Sequence, residues 1–451
     1  MAERDAAANL AGRELKVETS HGSPKAERFQ IVLFWPERGM YIIDLLQILL
    51  LLLVLQSAVA LVEGVQHYRF VRRSIEQPVG NLDLSVSIIA PCKGLDTGLA
   101  GNLLALFSQD YPAFEIIFAI ATEHDPARAI IEDTIRRHPE RSSQLVIAGT
   151  YAGRGEKINN LLAGIARTNP DSEVLVFVDS DARPDPGWLR SLVQPLAVPT
   201  VGASTGYRWY LAPRNEPRAI FWSGLLSAWN GTVATTLGGH NRNFCWGGST
   251  AIRRKTFESI GVAKYWEKAA SDDYALTRAV QDAGLKITFV PRCLTVTREK
   301  TGLASLLEFT TRQIIITKVY RRTVWWVGAV SYTLFNLAFF GGTCLAGAVA
   351  AMHRLGMAHV STVCLALVVI YLLGSAKGAL RLAAAATALK PFSREVLSVW
   401  WAFCILWPLV SIVFMYNFLR SAYTRRIEWR GVRYELRSPD ETIVLASTEQ
   451  P

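Results

Sequence analysis

The chain has 451 residues, half of them hydrophobic and 19% charged, with a mean hydropathy of +0.20; soluble globular domains seldom reach that balance, and it excludes disorder over most of the length. Six cysteines, at 92, 245, 293, 344, 364 and 404, form no C-x-x-C pair, which excludes a disulfide framework or a zinc ribbon. The formal net charge of +10 suits nucleic acid, anionic lipid or a phosphate-bearing substrate, and position must decide among them.

Residues 1–39, mixed in charge and poor in aromatics, read as a disordered tail. The uncharged run at 45–62 comes close to the ~20 residues that cross a bilayer and predicts a transmembrane helix over 40–66. Ala58-x-Ala60 imitates a signal-peptide cleavage site, but such peptides carry a shorter apolar run behind a basic stretch, and here Glu37 and Asp44 come first. Arg69, Arg72 and Arg73 follow, which places the next domain, 80–301, in the cytoplasm by the positive-inside rule.

Within that domain no membrane-length apolar run occurs. Short β-rich runs at 85–91, 114–121, 144–149 and 173–179 alternate with helix-like segments near 98–108, 126–137 and 156–168. The alternation predicts an α/β fold: a Rossmann-like, mostly parallel sheet with crossover helices and ligands at the carboxyl ends of its strands.

Several residues after those strands carry chemistry. His124-Asp125-Pro126 follows the second run, as a nucleotide contact or an Asp-Pro turn. Gly153-x-Gly155-x-Lys157 puts amides and a lysine at a helix start, which attracts anions, although a solvated helix face is the plainer reading and no P-loop lysine follows Gly155. Asp179-Ser180-Asp181 ends the fourth run with two carboxylates that could bind a hard cation or simply form a turn. Ser271-Asp272-Asp273-Tyr274 opens a helix, either as an N-cap with acids in its first turn or with Asp273 as a general base.

Residues 302–322 set Leu303, Leu306, Leu307, Ile314, Ile315 and Val319 at near-helical spacing among Arg312, Lys318, Arg321 and Arg322, which predicts a basic amphipathic helix lying in the membrane interface over 302–323, with an ordinary core helix of the domain as the alternative. Uncharged stretches at 324–352, 355–376 and 396–419 then form a membrane region. Lys377, Arg381, Lys390 and Arg394 mark 377–395 as a cytoplasmic loop, and 420–451 reads as a basic cytoplasmic tail. Two full crossings and one re-entrant segment satisfy both; Trp407-Pro408 makes 396–419 the interrupted one.

Taken in order, SVSIIAPCKG, QDYPAFEIIFAIATEHDPA, KINNLLAG, VFVDSDARPDPGWL, WGGSTAIRR and SDDYALTRAVQDAG resemble the family 2 inverting glycosyltransferases of GT-A fold, most closely the membrane ceramide glucosyltransferase group and its bacterial relatives. The resemblance covers roughly residues 80–325. It implies Asp125 beside the nucleotide base, Lys157 in the nucleotide pocket, Asp179 and Asp181 at a Mg²⁺ or Mn²⁺ ion and the donor diphosphate, and Asp273 as the base. Gly247, Gly248 and Ser249, with Asp272 and Gln313, would line the donor sugar and the acceptor. The family's Q-x-x-R-W motif is incomplete. Gln313 stands for the glutamine, but Ile316 and Thr317 replace the arginine and tryptophan, so a diphosphate contact would fall to Arg312 or Lys318.

What the resemblance implies is a multi-pass membrane enzyme that moves a sugar, glucose from UDP-glucose, onto a lipid hydroxyl with inversion. Its partners would be a UDP-sugar, a lipid acceptor and membrane lipids, with no nucleic acid; in a bacterium it would lie in the inner membrane. A processive polysaccharide synthase and a catalytically silent scaffold are the alternatives, and the missing tryptophan speaks against the former.

Overall fold

The computed structural model describes residues 36–212, 216–352 and 357–447. The expected disordered tail thus lies outside the described residues except for 36–39, which open a helix, Pro36–Glu76. From Leu45 onward the described residues form one compact unit.

Alternating side chains explain the main sheet. In β1 (Val86–Pro91) Ile88 enters one core and Ile89 the other, and in β4 (Val174–Val178) Val176 and Phe177 divide in the same way. Both faces are therefore covered, as continuous apolar strands require. With β2 (Phe114–Ile120), β3 (Ser143–Ile147), β5 (Val201–Leu211), β6 (Ser249–Arg253) and β7 (Lys286–Arg298), they form a seven-stranded sheet in the order β3-β2-β1-β4-β6-β5-β7. Only β6 runs antiparallel to its neighbours, β4 and β5. This mixed, mostly parallel sheet has the GT-A form expected. The first four strands fall within a residue or two of the expected runs; β5 to β7 are additions. Because β2 and β4 flank β1 on opposite sides, the chain reverses direction across the sheet there, and a crevice opens at the carboxyl ends of β1 and β4.

Among the described residues three helical stretches are long and apolar enough to cross a membrane: Asp44–Glu76, Arg322–Ala348 and Val360–Ala388. They bury Leu50, Leu53, Ala338, Val363, Leu367 and Ile370 against one another. Leu51, Leu55, Val327, Val330, Leu365 and Val368 point outward, each more than half exposed, as lipid-facing residues would. The segment at 396–419 breaks as expected, but at Ile405–Leu406: Trp400–Cys404 ends, and Trp407–Ala422 starts with Pro408 in its first turn, where proline costs nothing. With 16 residues, that last helix is shorter than a ~20-residue crossing.

Three expectations need correction. The helix Met357–Ala388 runs through Lys377 and Arg381, so most of the supposed loop is helical. The helix Leu303–Tyr320 offers no free amphipathic face: Leu306, Thr310, Ile314, Ile315 and Ile316 are all buried, because Trp407–Ala422 and a C-terminal sheet pack around it. That sheet replaces the supposed tail. Its strands β8 (Arg426–Trp429), β9 (Val432–Ser438) and β10 (Glu441–Ser447) seat Ile427, Tyr434 and Leu436 against Ala270, Ile315 and Ile316. The arginines obscured a period-2 pattern, I-x-W-x-x-V-x-Y-x-L.

Candidate active site

Five charged side chains meet at the carboxyl end of β4. Asp179 Oδ1 lies 2.7 Å from Lys157 Nζ, and its Oδ2 lies 2.8 Å from the Arg208 guanidinium. Arg208 also reaches Asp181 Oδ2 at 3.3 Å, while the Lys157 ammonium reaches Asp272 Oδ2 at 3.0 Å. Three carboxylates thus share two cations in a largely buried setting. Burial works to raise the Asp179 carboxyl, but Lys157 and Arg208 outweigh it and hold the group below its ordinary range. Burial raises Asp181, with Arg208 opposing and Asp179 adding repulsion. Burial likewise pushes Asp272 up to about 6 against the pull of Lys157.

Gly247 and Gly248 let the chain pass these carboxylates. A Cβ on Gly247 would overlap Asp272 Oδ2 and stand 2.8 Å from Lys157 Nζ; one on Gly248 would stand 2.6 Å from Asp179 Oδ2. Their part is to admit the backbone, and larger residues would push the ion pairs apart.

Asp273 stands at the start of the helix Asp272–Asp282. Its Oδ1 accepts from the Ser271 hydroxyl and, at 2.7 Å, from Tyr274 N. Among the described residues Oδ2 makes no hydrogen bond, and Asp273 faces the cavity described below. Ser271 caps the helix as the plain reading expected, so capping and an available carboxylate oxygen coexist.

Other expected residues stand elsewhere. Asp125 Oδ1 accepts from Gly94 N and Ala127 N, both at 2.9 Å, which ties the loop after β1 to the next helix as an Asp-Pro turn would. Ser249 is a correction: fully buried at the start of β6, its hydroxyl accepts from Trp188 Nε1 at 2.8 Å and faces the core, because the strand's alternation turns it inward. Lys318 is another. Its ammonium donates to the Ser421 and Ala422 carbonyls at 2.6 and 2.8 Å, satisfying the carboxyl end of Trp407–Ala422. Arg312 and Gln313 do line the cavity, and Arg312 donates to the Glu428 carbonyl at 3.1 Å.

Three site residues escaped the sequence reading. Arg208 sits within the apolar strand VGASTGYRWYL, and a lone cation there was a usable signal. Asp96 accepts from Ser180 Oγ at 2.5 Å and pairs with Arg430 at 2.6 Å. Arg430 comes from the far end of the chain. It occupies, with Gly431, the two-residue turn between β8 and β9, at φ 48° and 76°, a type I′ arrangement in which arginine is unusual.

A cavity of about 1610 Å³ joins this cluster to the membrane-side helices. Lys157, Asp179, Asp181, Arg208, Asp273 and Arg430 line one end; Val324, Gly328, Tyr332, Phe414 and Phe418 line the other.

The carboxylates fit a divalent cation shared with a phosphate ligand. Among the described residues Asp181 Oδ1 is buried without a hydrogen-bond partner, an orphaned carboxylate oxygen at the position expected for the metal. Among the described residues no group of three or more His, Cys, Asp or Glu could hold a metal by itself, so the remaining ligands would be substrate oxygens and water, the usual habit of Mg²⁺.

A family model for glycosyl transferase family 21 matches residues 52–442. A ceramide glucosyltransferase of Komagataella phaffii is 27% identical over 177 residues, 38% of this chain and 34% of that protein. Ceramide glucosyltransferase 1 of Caenorhabditis elegans is 32% identical over 77 residues, 17% of this chain and 16% of its own. The chain thus spans about a third or less of the length of these relatives. Among solved structures, a mannosyltransferase from Pyrobaculum calidifontis in complex with GDP-Man and Mn²⁺ is 16% identical, with a TM-score of 0.44 over 84% of this chain and 99% of that one. The expected resemblance to the membrane ceramide glucosyltransferase group is borne out, through the family numbered 21. Because the family match runs from the first membrane-length helix to the last strand, this chain belongs to glycosyl transferase family 21.

Proposed function

We propose that the protein is a membrane-integral, metal-dependent inverting glycosyltransferase that moves a sugar, glucose from UDP-glucose, onto the hydroxyl of a ceramide-like lipid. The observation that carries this reading is one continuous cavity that runs from the carboxylate cluster to apolar walls on the membrane-side helices. A water-soluble donor and a membrane-held acceptor need such a shared space.

The chain's own groups divide the work. Lys157, Arg208 and Arg430 surround the place for the diphosphate with positive charge. Asp179 and Asp181 would hold Mg²⁺ or Mn²⁺, whose charge neutralises the departing diphosphate. Asp273 accepts the proton of the acceptor hydroxyl through its free Oδ2; the acceptor oxygen bonds to the anomeric carbon as the bond from that carbon to the diphosphate oxygen breaks. Hydrogen bonds from Ser271 and Tyr274 to Oδ1 keep that carboxylate from turning away. The domain is assigned to the cytoplasm, where Arg69, Arg72 and Arg73 follow the first membrane helix.

Mass spectrometry of lipids from cells expressing the protein or its Asp273→Asn variant tests this. A hexosylated lipid should accumulate with the former, and turnover should drop about 10²- to 10⁴-fold with the latter. Equal amounts of the product in both would remove Asp273 from the mechanism, and no product in either would sink the transferase reading.

A further inference from the structure

Positive-inside counting treats Lys377 and Arg381 as charges of an exposed loop, yet the structure turns both inward. They lie four residues apart on one face of Met357–Ala388 and line the membrane end of the cavity. Arg381 donates to Thr232 Oγ1 at 3.1 Å, while its Nε is buried without a partner among the described residues. The stem of Lys377 rests against the first helix, where a Cβ on Gly64 would stand 3.5 Å from its Cγ. Among the described residues no carboxylate lies within ion-pair distance of either cation. The acid nearest in effect is Glu63, exposed on the first helix. His67, which faces the same space, is tied by Nδ1 to the Leu237 carbonyl at 3.0 Å.

Half-buried cations that face a cavity without an anion beside them are costly, and ionisable groups that face a cavity between membrane helices mark a ligand. We propose that Lys377 and Arg381 form the binding site for the phosphate headgroup of an anionic membrane phospholipid. The walls beside them select the lipid over a soluble phosphate: Val324, Gly328, Phe414 and Phe418 offer an apolar surface for acyl chains next to the two cations. A nucleotide diphosphate has its own cations in Lys157, Arg208 and Arg430. The proposed function gives these same walls to the acceptor lipid, so phospholipid and acceptor would compete there; the melting test below needs neither donor nor turnover, so its failure is distinguishable from a failure of the transferase reading, which lipid products decide.

Thermal melting of the purified full-length protein, titrated with phosphatidylglycerol or phosphatidylcholine, provides the test. Wild type should reach half of its stabilisation at least about tenfold lower phosphatidylglycerol than phosphatidylcholine. Lys377→Gln with Arg381→Gln should abolish that preference, and Arg381→Lys should keep most of it. Lys390→Gln with Arg394→Gln, which removes two exposed charges beyond the cavity, should leave it intact and so separates the site from general attraction to an anionic surface. Equal stabilisation of wild type by both lipids would overturn the proposal, a result that needs no variant to fold. A preference that survives in the double variant, or is lost equally in the control pair, would also overturn it. So would a shift given by inorganic phosphate or UDP alone that needs Lys377 and Arg381, which would make this a soluble-anion site.

Discussion

Asp181 differs from Asp179 in one respect with chemical consequences. Asp179 has a cation at each oxygen, whereas Asp181 has Arg208 at Oδ2 and, among the described residues, no hydrogen-bond partner at Oδ1. A buried anionic oxygen without a partner is costly, so the pair is incomplete until a cation completes it. With UDP as ligand, Mn²⁺ should tighten binding to wild type, and chelator should remove the gain. Asp181→Ala should lose about 10- to 100-fold in affinity with Mn²⁺ present and change little in chelator. Titration calorimetry with and without the metal reads both, and a loss of equal size in chelator would make Asp181 a structural residue only. At this scale the sequence was informative but incomplete. Asp179, Asp181, Lys157, Asp272 and Asp273 converge because each follows a strand end or starts a helix, and those positions are visible in a linear pattern. Arg208 joins them only through the pairing of β5 with β6 and of β6 with β4, which no local spacing encodes.

Among the elements, the turn between β8 and β9 contributes most that the sequence concealed. Arg430 holds φ 48° there, a conformation that costs a side-chain-bearing residue on the order of 1 kcal/mol and that glycine adopts freely. Its guanidinium reaches the Lys93 carbonyl and Asp96, at the carboxyl end of β1. Ile316 stands where the family motif carries its arginine and is buried against the same C-terminal sheet, so this turn brings back a positive charge that the motif lost. Arg430→Gly should keep the turn and relieve its strain. Melting temperature should hold or rise slightly, while UDP affinity falls about 10- to 100-fold, the usual worth of a hydrogen bond to a charged group. Arg430→Lys should recover part of the affinity. A lower melting temperature with unchanged UDP affinity would assign the residue to the fold alone. The sheet was hidden because six arginines between 420 and 437 dominate the composition. Four of them, Arg426, Arg430, Arg433 and Arg437, belong to a hairpin whose alternate residues are buried.

At the scale of the whole molecule, the C-terminal sheet constrains how the chain could thread through a membrane. It is docked on the β1–β7 domain: Arg278 pairs with Asp440 at 3.0 Å, and Tyr434 OH accepts from Glu156 N at 3.3 Å. Both bodies must therefore lie on one side of any membrane. Between them the chain passes two crossing-length stretches, Arg322–Ala348 and Val360–Ala388, an even number that returns it to its starting side. The broken segment after them is then free of any duty to cross. That agrees with the 16-residue length of Trp407–Ala422 and with its packing on Leu303–Tyr320, where Thr310 Oγ1 meets Asn417 Oδ1 at 3.2 Å. With the six native cysteines replaced, a single cysteine at Ser438 in the C-terminal sheet and, separately, one at exposed Lys255 in the domain should behave alike. Each should resist a membrane-impermeant thiol reagent in intact cells and react after permeabilisation. Labelling of both in intact cells would reverse the orientation and leave the threading intact. Labelling at Ser438 alone would break the pairing of sheet and domain, and with it the route by which Arg430 reaches the site.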